Sequence, residues 1–569
     1  MLCYRKLFLE ADPNIESKTG RAQTISQQSS SNGYFIGKEG FAKKHKYRLA
    51  LVAFVVVFIV AATYSIGYMS VQWDEMPHLF GGTLLLRGQT WDYMTTYGYY
   101  PPIFDLVTTG FFSVLGVNEV AGRLVAVTFA VLSIVVLFEF TKRTYGKRNA
   151  LIASVLLGTM PGFFWLSRVT MLETMLIFFF TLTMFAFYTW LNKDSSNKAL
   201  VFAGLALGIG VLAKYQLIVA ALAMLLSILF LCRKRLKIDL AKFLLIVVIV
   251  VLVVSPWFLM IYHYDGVTKF QTLQYVMTEG GQDRPAYSNR FQPLPIYYLV
   301  EMAWPFNDIP VHPIALPIFV LGMCGLGLFA YRRSKQDIFF LTWFLVIYLF
   351  FTFIPNRQWR YVTPLFPILA VAAACFIMFL YFKVRGWKPQ QTGLRGARLK
   401  KLASIAFIAA IVGAVAYSGY EAYQMTVRDQ IQIPIKEATQ YLVNHLDADQ
   451  SAVLICSFNL LSQDMFRFYL PANMSSDQIW QYPALAVDAF TPNFNMTEFT
   501  DLCVERNVKY IILYDFGEHR NFFNSTLDYT QVRQMIYDTQ RFGDPHDQPF
   551  WGNYYGWYGY RIFLVRFLG

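Results

Sequence analysis

Two adjacent carboxylates, Asp74 and Glu75, follow Trp73 just beyond the first long apolar segment of the chain. An ionised acid close to hydrocarbon is energetically costly, so acids at a membrane boundary are candidates for function. A carboxylate placed there can act as a general base that takes the proton of an acceptor hydroxyl. The alternative is a solvated loop end, and these three residues alone do not separate the two interpretations.

Further charged residues lie at the ends of apolar segments elsewhere in the chain, namely Arg123, Glu173, Lys214 and Arg360. Each alone has an ordinary structural explanation. Arg123 could pair with Glu119, Glu173 could complement a helix dipole, and Lys214 could snorkel. Taken together these ordinary explanations weaken, because the face to which the topology below assigns these residues has few other cations.

The elements that carry these residues are apolar segments of membrane-spanning length. The chain has 569 residues, of which 56% are hydrophobic and 15% charged, which excludes an ordinary soluble protein. Runs of about 18 to 25 apolar residues can cross a bilayer as helices. We predict a mainly α-helical, polytopic membrane protein with about eleven spans, at about 49–70, 120–141, 149–167, 174–191, 199–213, 216–232, 240–262, 312–331, 337–354, 364–382 and 402–420. No nucleic-acid motif or phosphate loop is present, so no nucleic-acid partner is expected.

The distribution of Lys and Arg sets the orientation of these spans. With the N-terminus in the cytoplasm, 29 of these residues up to residue 421 fall on the inner side and nine on the outer side. All the charged candidates then share the outer face. Residues 101–117 are short and interrupted by Asp105, and as a span they would invert every later loop. We therefore predict a helix along the outer membrane surface, within an outer loop at 71–119.

Three regions follow from this topology. Residues 1–47 form a polar cytoplasmic tail that is predicted to be disordered, and residues 48–420 form the transmembrane catalytic domain. Residues 421–569 form an extracytoplasmic α/β domain, because the apolar runs SAVLICSF, KYIILYDF and YRIFLVRFL have the length and composition of strands.

Two features of the last region depend on its compartment. All three N-x-[ST] sequons lie there, at Asn473, Asn495 and Asn524, as expected for glycosylation outside the cytoplasm. Cys456 and Cys503 could form a disulfide there, although two separate buried thiols are favoured.

The ordered motifs WDE…H, PP, E-x-x-x-R-L, SR-x4-E, G-x-x-x-G-x-x-x-L-x-K and RY-x-x-P-L-x-P resemble those of the membrane-embedded GT-C glycosyltransferases, over about residues 50–370. Within that class the chain is similar to protein O-mannosyltransferases and to the bacterial aminoarabinose transferases of lipid A. The resemblance implies transfer of a sugar such as mannose from a polyprenyl- or dolichyl-phosphate carrier to an acceptor hydroxyl, with inversion, outside the cytoplasm. The acceptor is left open between a protein, a lipid and a glycan.

The same resemblance implies roles for individual residues. Asp74 matches the acid assigned as catalytic base, with Glu75 beside it, and the predicted donor phosphate ligands are Arg123, Lys214 and Arg360. Further site candidates are His78, Glu173 and Tyr361. Relatives often carry Lys or His immediately before the Pro pair, whereas here Tyr100 precedes Pro101 and Pro102, so Tyr100 or another cation must serve the phosphate.

No cofactor is certain from the sequence. Acid pairs in some relatives hold a metal, so a divalent metal at Asp74 and Glu75 is left open. The alternative classes are a secondary transporter and a non-catalytic membrane scaffold. A transporter would carry charges near the bilayer midplane and show repeated halves, neither of which is found in the sequence.

Overall fold

The structure is a computed structural model, and it divides the chain into two units, Met1–Leu49 and Ala50–Gly569. In the first unit the structure describes the beginning of one helix, and every contact discussed below lies within the second unit. The described residues are 33–192, 197–232, 235–278, 294–303, 312–354, 357–387, 394–428, 432–455, 461–471, 473–482, 495–515, 534, 536–537, 540–543, 549–554 and 557–569.

Most of the described chain is α-helical. The helices are α1 Gly33–Thr63, α2 Met76–Leu86, α3 Thr90–Tyr97, α4 Ile103–Leu115, α5 Glu119–Tyr145, α6 Lys147–Thr159, α7 Pro161–Leu166, α8 Glu173–Asn192, α9 Asn197–Val211, α10 Val219–Leu231, α11 Leu236–Asp265, α12 Thr268–Thr278, α13 Tyr297–Ala303, α14 Leu316–Arg332, α15 Lys335–Thr352, α16 Phe366–Gly386, α17 Leu394–Arg428, α18 Ile435–His445, α19 Gln463–Phe468 and α20 Met496–Glu505. Short 3-10 helices occupy Trp73–Glu75, Tyr215–Ile218, Leu294–Ile296, Trp359–Leu365 and Ser476–Gln478.

Among the described residues, seven helical segments are long and apolar enough to cross a membrane. They are His45–Thr63, Glu119–Tyr145, Glu173–Asn192, Leu236–Tyr264, Lys335–Thr352, Trp359–Gly386 and Arg395–Thr426. Shorter apolar helices accompany them, and a helix lies at each position where the sequence predicts a span. The polytopic, mainly helical fold is thus confirmed, whereas the number of eleven spans stays a prediction.

The first helix differs from its prediction at both ends. It begins at Gly33, within the tail that was predicted to be disordered, and residues 1–32 lie outside the described residues. It ends at Thr63 rather than near residue 70. Ser65 follows with a φ of 51°, in the left-handed region that terminates helices, and the chain turns there.

The predicted span at 149–167 is two helices, α6 and α7. Pro161 is the first residue of α7, and Met160 before it has an extended backbone with ψ of 125°. Proline lacks the N–H that would continue the helix and disfavours a helical conformation in the residue before it, so the break follows from this one residue. The break redirects the chain toward Ser167 and Arg168, which precede Glu173.

The loop region at 71–119 contains the helices α2, α3 and α4. The predicted helix at 101–117 is present as α4, Ile103–Leu115, and α2 and α3 were not predicted. Helices α2 and α4 approach closely at Gly81 and Gly82, where an added Cβ would lie 3.4 Å from Asp105 Oδ2 and 3.0 Å from Thr108 Cγ2 respectively. Glycine at both positions therefore allows the close packing of the two helices.

The C-terminal region contains a five-stranded sheet of order β2-β1-β3-β5-β4. Its strands are β1 Ser451–Leu454, β2 Ile479–Gln481, β3 Val508–Asp515, β4 Pro549–Tyr554 and β5 Trp557–Arg566. Strands β1, β2 and β3 are parallel, whereas β5 pairs antiparallel with β3 and β4. The three predicted strands are confirmed. Two strands were not predicted: β2, which has only three residues, and β4, which begins at a proline.

The sheet packs directly on the loop region at 71–119. Val71, Met76 and Phe112 belong to the same buried cluster as the sheet residues. The Ser70 hydroxyl donates to the carbonyl oxygen of Ile433 at 2.8 Å and accepts from its N–H at 2.9 Å. Tyr97 OH donates to Asp464 Oδ2 at 2.5 Å. The C-terminal region thereby helps to fix the segments on both sides of Asp74.

Candidate active site

The charged candidates form an alternating row of acids and bases. Arg360 Nη2 lies 2.8 Å from Asp74 Oδ2, and Arg360 Nη1 lies 4.0 Å from Glu173 Oε1. Lys214 Nζ donates to the same Oε1 of Glu173 at 2.8 Å. Four residues from four separate segments, as the sequence predicts, therefore meet in one place.

Local structure explains how each member reaches the row. Asp74 is on the 3-10 helix Trp73–Glu75, and Arg360 is on the 3-10 helix Trp359–Leu365. Glu173 is the first residue of α8, and Lys214 lies in the turn between α9 and the next short helix. All four are at helix ends, where the chain changes direction and polar side chains converge.

Exposure distinguishes the two acids of the row. The Asp74 side chain is 49% exposed, whereas Glu173 is buried. The Arg360 guanidinium is partly exposed and also donates to Gln358 Oε1 at 2.8 Å, while its Nη1 lies 3.4 Å from Met171 Sδ. Asp74 is thus open to a substrate, and both cations of the row have some solvent access.

Glu75 lies in a different environment from its neighbour. Its carboxylate is fully buried and accepts two hydrogen bonds from Arg123, at 2.9 and 2.8 Å. The backbone N–H groups of Gln72 and Thr170 also donate to it, at 2.9 and 2.8 Å. Burial raises the pKa of Glu75, but the Arg123 charge and these hydrogen bonds outweigh burial, so the pKa lies below its usual value. Glu75 is therefore held as a carboxylate.

The structure places Arg123 differently from the sequence prediction. The guanidinium is fully buried, and besides Glu75 it donates to the carbonyl oxygens of Ile66, Met69 and Ser70 at 2.7, 2.7 and 3.0 Å. These contacts use all five guanidinium N–H donors. A bond from Arg123 to a donor phosphate would require one of these bonds to break, so the geometry supports a structural brace instead. Nor does Arg123 use Glu119 as its partner.

His78 lies behind the row, on α2. Its Nδ1 is 2.7 Å from Asp105 Oδ1, and its ring contacts Tyr100 edge-on with a centroid distance of 5.3 Å. Tyr100 in turn packs against Tyr99 with ring centroids 4.2 Å apart. The predicted candidates His78 and Tyr100 are thus in contact, beside but not within the charged row.

Sequence reasoning missed Asp105 as a site residue. It is fully buried and bound by two side chains, yet the sequence analysis used it only as a reason to reject a membrane span. An acid within the apolar stretch PPIFDLVTTGFF was itself the available signal, since a carboxylate there needs a specific partner. Tyr361 lies next to Arg360 and packs against Phe351 with a centroid distance of 6.4 Å.

Two of the three sequons lie in the described part of the chain. Asn473 and Asn495 are exposed, and the Asn495 side chain caps α20 by accepting from the N–H groups of Thr497 and Glu498. Asn524 and Cys456 lie outside the described residues, and Cys503 is a buried free thiol. Exposure is necessary for glycosylation, and both described asparagines meet this requirement.

Within the residues that the structure describes, no group of three or more His, Cys, Asp or Glu side chains is arranged to hold a metal ion. Asp74 and Glu75 are adjacent in sequence but have separate partners, Arg360 and Arg123. A divalent metal at Asp74 and Glu75 stays an open alternative.

The fold that carries the charged row is the GT-C fold of solved membrane glycosyltransferases. Residues 100–260 match the family described as dolichyl-phosphate-mannose-protein mannosyltransferase, less than a third of the chain. The fold is similar to that of ArnT from Cupriavidus metallidurans bound to undecaprenyl phosphate, with a TM-score of 0.58 and 13% identity over 90% of this chain and 97% of that one.

A second solved structure shares the fold. The archaeal oligosaccharyltransferase AglB from Archaeoglobus fulgidus, in complex with an inhibitory peptide and a dolichol-phosphate, matches with a TM-score of 0.53 and 13% identity. The match covers 90% of this chain and 74% of that one. No curated protein sequence matches the chain. The expected GT-C fold of an integral membrane protein is thus confirmed.

Proposed function

We propose that this protein transfers a sugar from a polyprenyl-phosphate carrier to an acceptor hydroxyl, on the extracytoplasmic side of the membrane. The observation that carries the proposal is the row Asp74–Arg360–Glu173–Lys214, in which an exposed carboxylate contacts Arg360 and buried Glu173 links Arg360 to a second cation, Lys214. The matched family is named for dolichyl-phosphate-mannose, and the two structural neighbours hold undecaprenyl phosphate and dolichol-phosphate. Mannose is therefore the first sugar to test, and the acceptor is a protein, lipid or glycan hydroxyl.

The reaction is a direct displacement at the anomeric carbon. Asp74 accepts the proton of the acceptor hydroxyl while the hydroxyl oxygen attacks the anomeric carbon. This attack forms the new glycosidic bond. The bond from the anomeric carbon to the phosphate oxygen breaks on the opposite side, and polyprenyl phosphate leaves with the electron pair. The configuration of the sugar inverts. The proton then passes from Asp74 to solvent, which its exposure allows.

Two cations serve the leaving group. Negative charge grows on the phosphate oxygens as the bond breaks, and preorganised cations lower the energy of that state. Arg360 and Lys214 have solvent access and lie on either side of Glu173, which holds both near one point. Glu173 thus orients the cations, while the buried Glu75–Arg123 pair fixes the backbone that carries Asp74.

The orientation of the site is part of the proposal. The excess of Lys and Arg on one side of the spans supports a cytoplasmic N-terminus, with Asp74 and residues 421–569 on the outer side. Apolar side chains are exposed along α11, including Leu244, Val251 and Leu252, and such a surface suits contact with membrane lipid and a prenyl chain.

The direct test incubates purified protein with a panel of labelled polyprenyl-phosphate sugars and measures release of polyprenyl phosphate. Release with at least one sugar, dependent on an acceptor hydroxyl, is the expected result. A matched control is Asp92→Asn, which changes an acid of α3 that belongs to neither ion pair of the site. No release with any sugar of the panel would contradict the proposal.

A further inference from the structure

A buried polar cluster lies next to the charged row and takes no part in the transfer described above. Asp105 Oδ1 is 2.7 Å from His78 Nδ1, and Tyr93 OH donates to Asp105 Oδ2 at 2.8 Å. Asp105 has no exposed surface, and His78 and Tyr93 are also buried. The cluster ties together α2, α3 and α4, the three helices of the outer loop.

Such a cluster costs free energy to bury unless each member is hydrogen-bonded, so its presence needs a reason. The packing is built for it, because a Cβ at Gly81 would lie 3.1 Å from the Tyr93 ring and 3.4 Å from Asp105 Oδ2. Because the Asp105 carboxylate accepts a hydrogen bond from Nδ1–H of His78, the His78 imidazole is held in one orientation and one tautomer. Asp105 thus determines how the His78 ring is presented to its neighbours.

The neighbour of His78 on the side of the site is Tyr100. The two rings meet edge-on at 5.3 Å, and Phe104 contacts the His78 ring at 5.1 Å. Burial first, then Tyr99, to which the Tyr100 hydroxyl is hydrogen-bonded, and the charges of Asp74 and Asp105 raise the pKa of Tyr100 well above its usual value. Tyr100 therefore stays a neutral hydroxyl that can exchange its hydrogen bond to Tyr99 for one to an anion.

We propose that Asp105 is a positioning residue for the donor: through His78 it holds Tyr100 in place to donate a hydrogen bond to the sugar phosphate. This inference rests on the proposed transfer function. It adds that a buried acid, Asp105, positions a phosphate ligand through the contact of His78 with Tyr100. Three other charged side chains on elements packed against α2 have partners outside this cluster. Arg123 pairs with Glu75 and Glu119 with Lys436, while Asp464 binds Tyr97 and Arg467.

The test is a double-mutant cycle on binding of a polyprenyl phosphate to the full-length protein. Asp105→Asn and Tyr100→Phe should each weaken binding about tenfold. Tyr100→Phe removes the charge-assisted hydrogen bond to the phosphate, and Asp105→Asn removes the group that positions Tyr100 to make it. The double variant should be no weaker than either single variant, because the two residues act through one contact. His78→Gln, which keeps a donor for Asp105, should bind better than His78→Ala. Asp92→Asn is the control and should bind as the wild type does.

A purely structural role gives a different pattern. Asp105→Asn would then lower the melting temperature while binding by the folded fraction stayed unchanged, or the effects in the cycle would add, and either result overturns the proposal. If Asp105→Asn does not fold, Tyr93→Phe removes one of the two bonds to Asp105 and takes its place in the cycle. Binding is measured without turnover. The proposed function would be contradicted if the wild-type protein bound polyprenyl phosphate but released none from any sugar donor. The double-mutant cycle on binding would still decide whether Asp105 positions Tyr100.

Discussion

Arg360 holds the carboxylate of Asp74 through a 2.8 Å ion pair, so the proposed base and a proposed phosphate ligand are partners before any substrate is bound. A donor phosphate that engages Arg360 must compete with Asp74 for the same Nη2. Binding of the donor would then release Asp74 for the acceptor hydroxyl. In the proposed mechanism Asp74 would therefore become free to act as base only when a carrier phosphate occupies Arg360.

If Asp74 and the donor phosphate compete for Arg360, removal of the Asp74 charge should increase the affinity for polyprenyl phosphate. Asp74→Asn should bind polyprenyl phosphate about two- to fivefold more tightly than the wild type, in keeping with the small energies of partly exposed ion pairs. Arg360→Ala should bind more weakly, and Gln358→Ala, which removes only the neighbouring amide, should have little effect. Equilibrium binding in detergent measures all three. Weaker binding by Asp74→Asn would show that Asp74 supports the phosphate and does not compete with it.

The buried pair predicts a loss of stability. Removing the Arg123 guanidinium by Arg123→Met should destabilise the protein by about 3–5 kcal/mol, because Glu75 is left as an unpaired buried charge. Thermal unfolding in detergent measures this effect, and Arg87→Met, at the end of α2, is the control. A stable Arg123→Met protein with poor phosphate binding would restore Arg123 to the donor site.

The pH dependence of unfolding follows from Glu75. Its folded-state pKa is below the unfolded value of about 4.3. The contribution of the pair is therefore fully present above that pH and is lost as the pH falls through the lower folded pKa. The melting temperature of the wild type should drop on acidification below about pH 4, and Glu75→Gln should show a smaller drop. The exposed Glu437→Gln is the control, and equal acid sensitivity in all three proteins would contradict this account.

Variants of Lys214 can distinguish two roles of this residue, namely contact with the donor phosphate and neutralisation of the Glu173 charge. Lys214→Met should weaken polyprenyl phosphate binding about tenfold, as expected for loss of a charge-assisted hydrogen bond. The double variant Lys214→Met/Glu173→Gln restores charge balance and should stay weak if Lys214 contacts the phosphate. Recovery of binding in the double variant would mean that Lys214 only neutralises Glu173. Lys436→Met, at an exposed cation outside the row, is the control.

The topology has its own test. Protease added to right-side-out vesicles should cleave within residues 421–569, and in a host that glycosylates outside the cytoplasm, Asn473→Gln and Asn495→Gln should each remove one glycan. Cleavage only after permeabilisation would reverse the orientation and remove the outer-face site with it.

The positions of the apolar helices could be predicted because the length of an apolar run is a local property of the sequence. The break at Pro161 was equally local, and attention to that residue would have predicted it. The sequence could not show β2, since three residues carry too little pattern and depend on pairing with β1.

The charged residues of the site were predictable as a set but not as pairs. Asp74, Glu173, Lys214 and Arg360 do meet, yet Arg123 pairs with Glu75, 48 residues away in sequence. Which acid pairs with which base depends on side-chain reach and burial in the folded chain. The position of Asp105 in an apolar stretch was a signal in the sequence, but its partners His78 and Tyr93 come from two other helices and could not be predicted.

The most direct test of the central claim compares Asp74→Asn with the wild type in release of polyprenyl phosphate from a labelled donor. The variant keeps the shape of the side chain and loses its basicity, so turnover should fall by about two orders of magnitude or more. Binding of polyprenyl phosphate should be retained, which shows that the site is intact, and Glu75→Gln should reduce turnover less. Near wild-type release of polyprenyl phosphate by Asp74→Asn would contradict the assignment of Asp74 as the base.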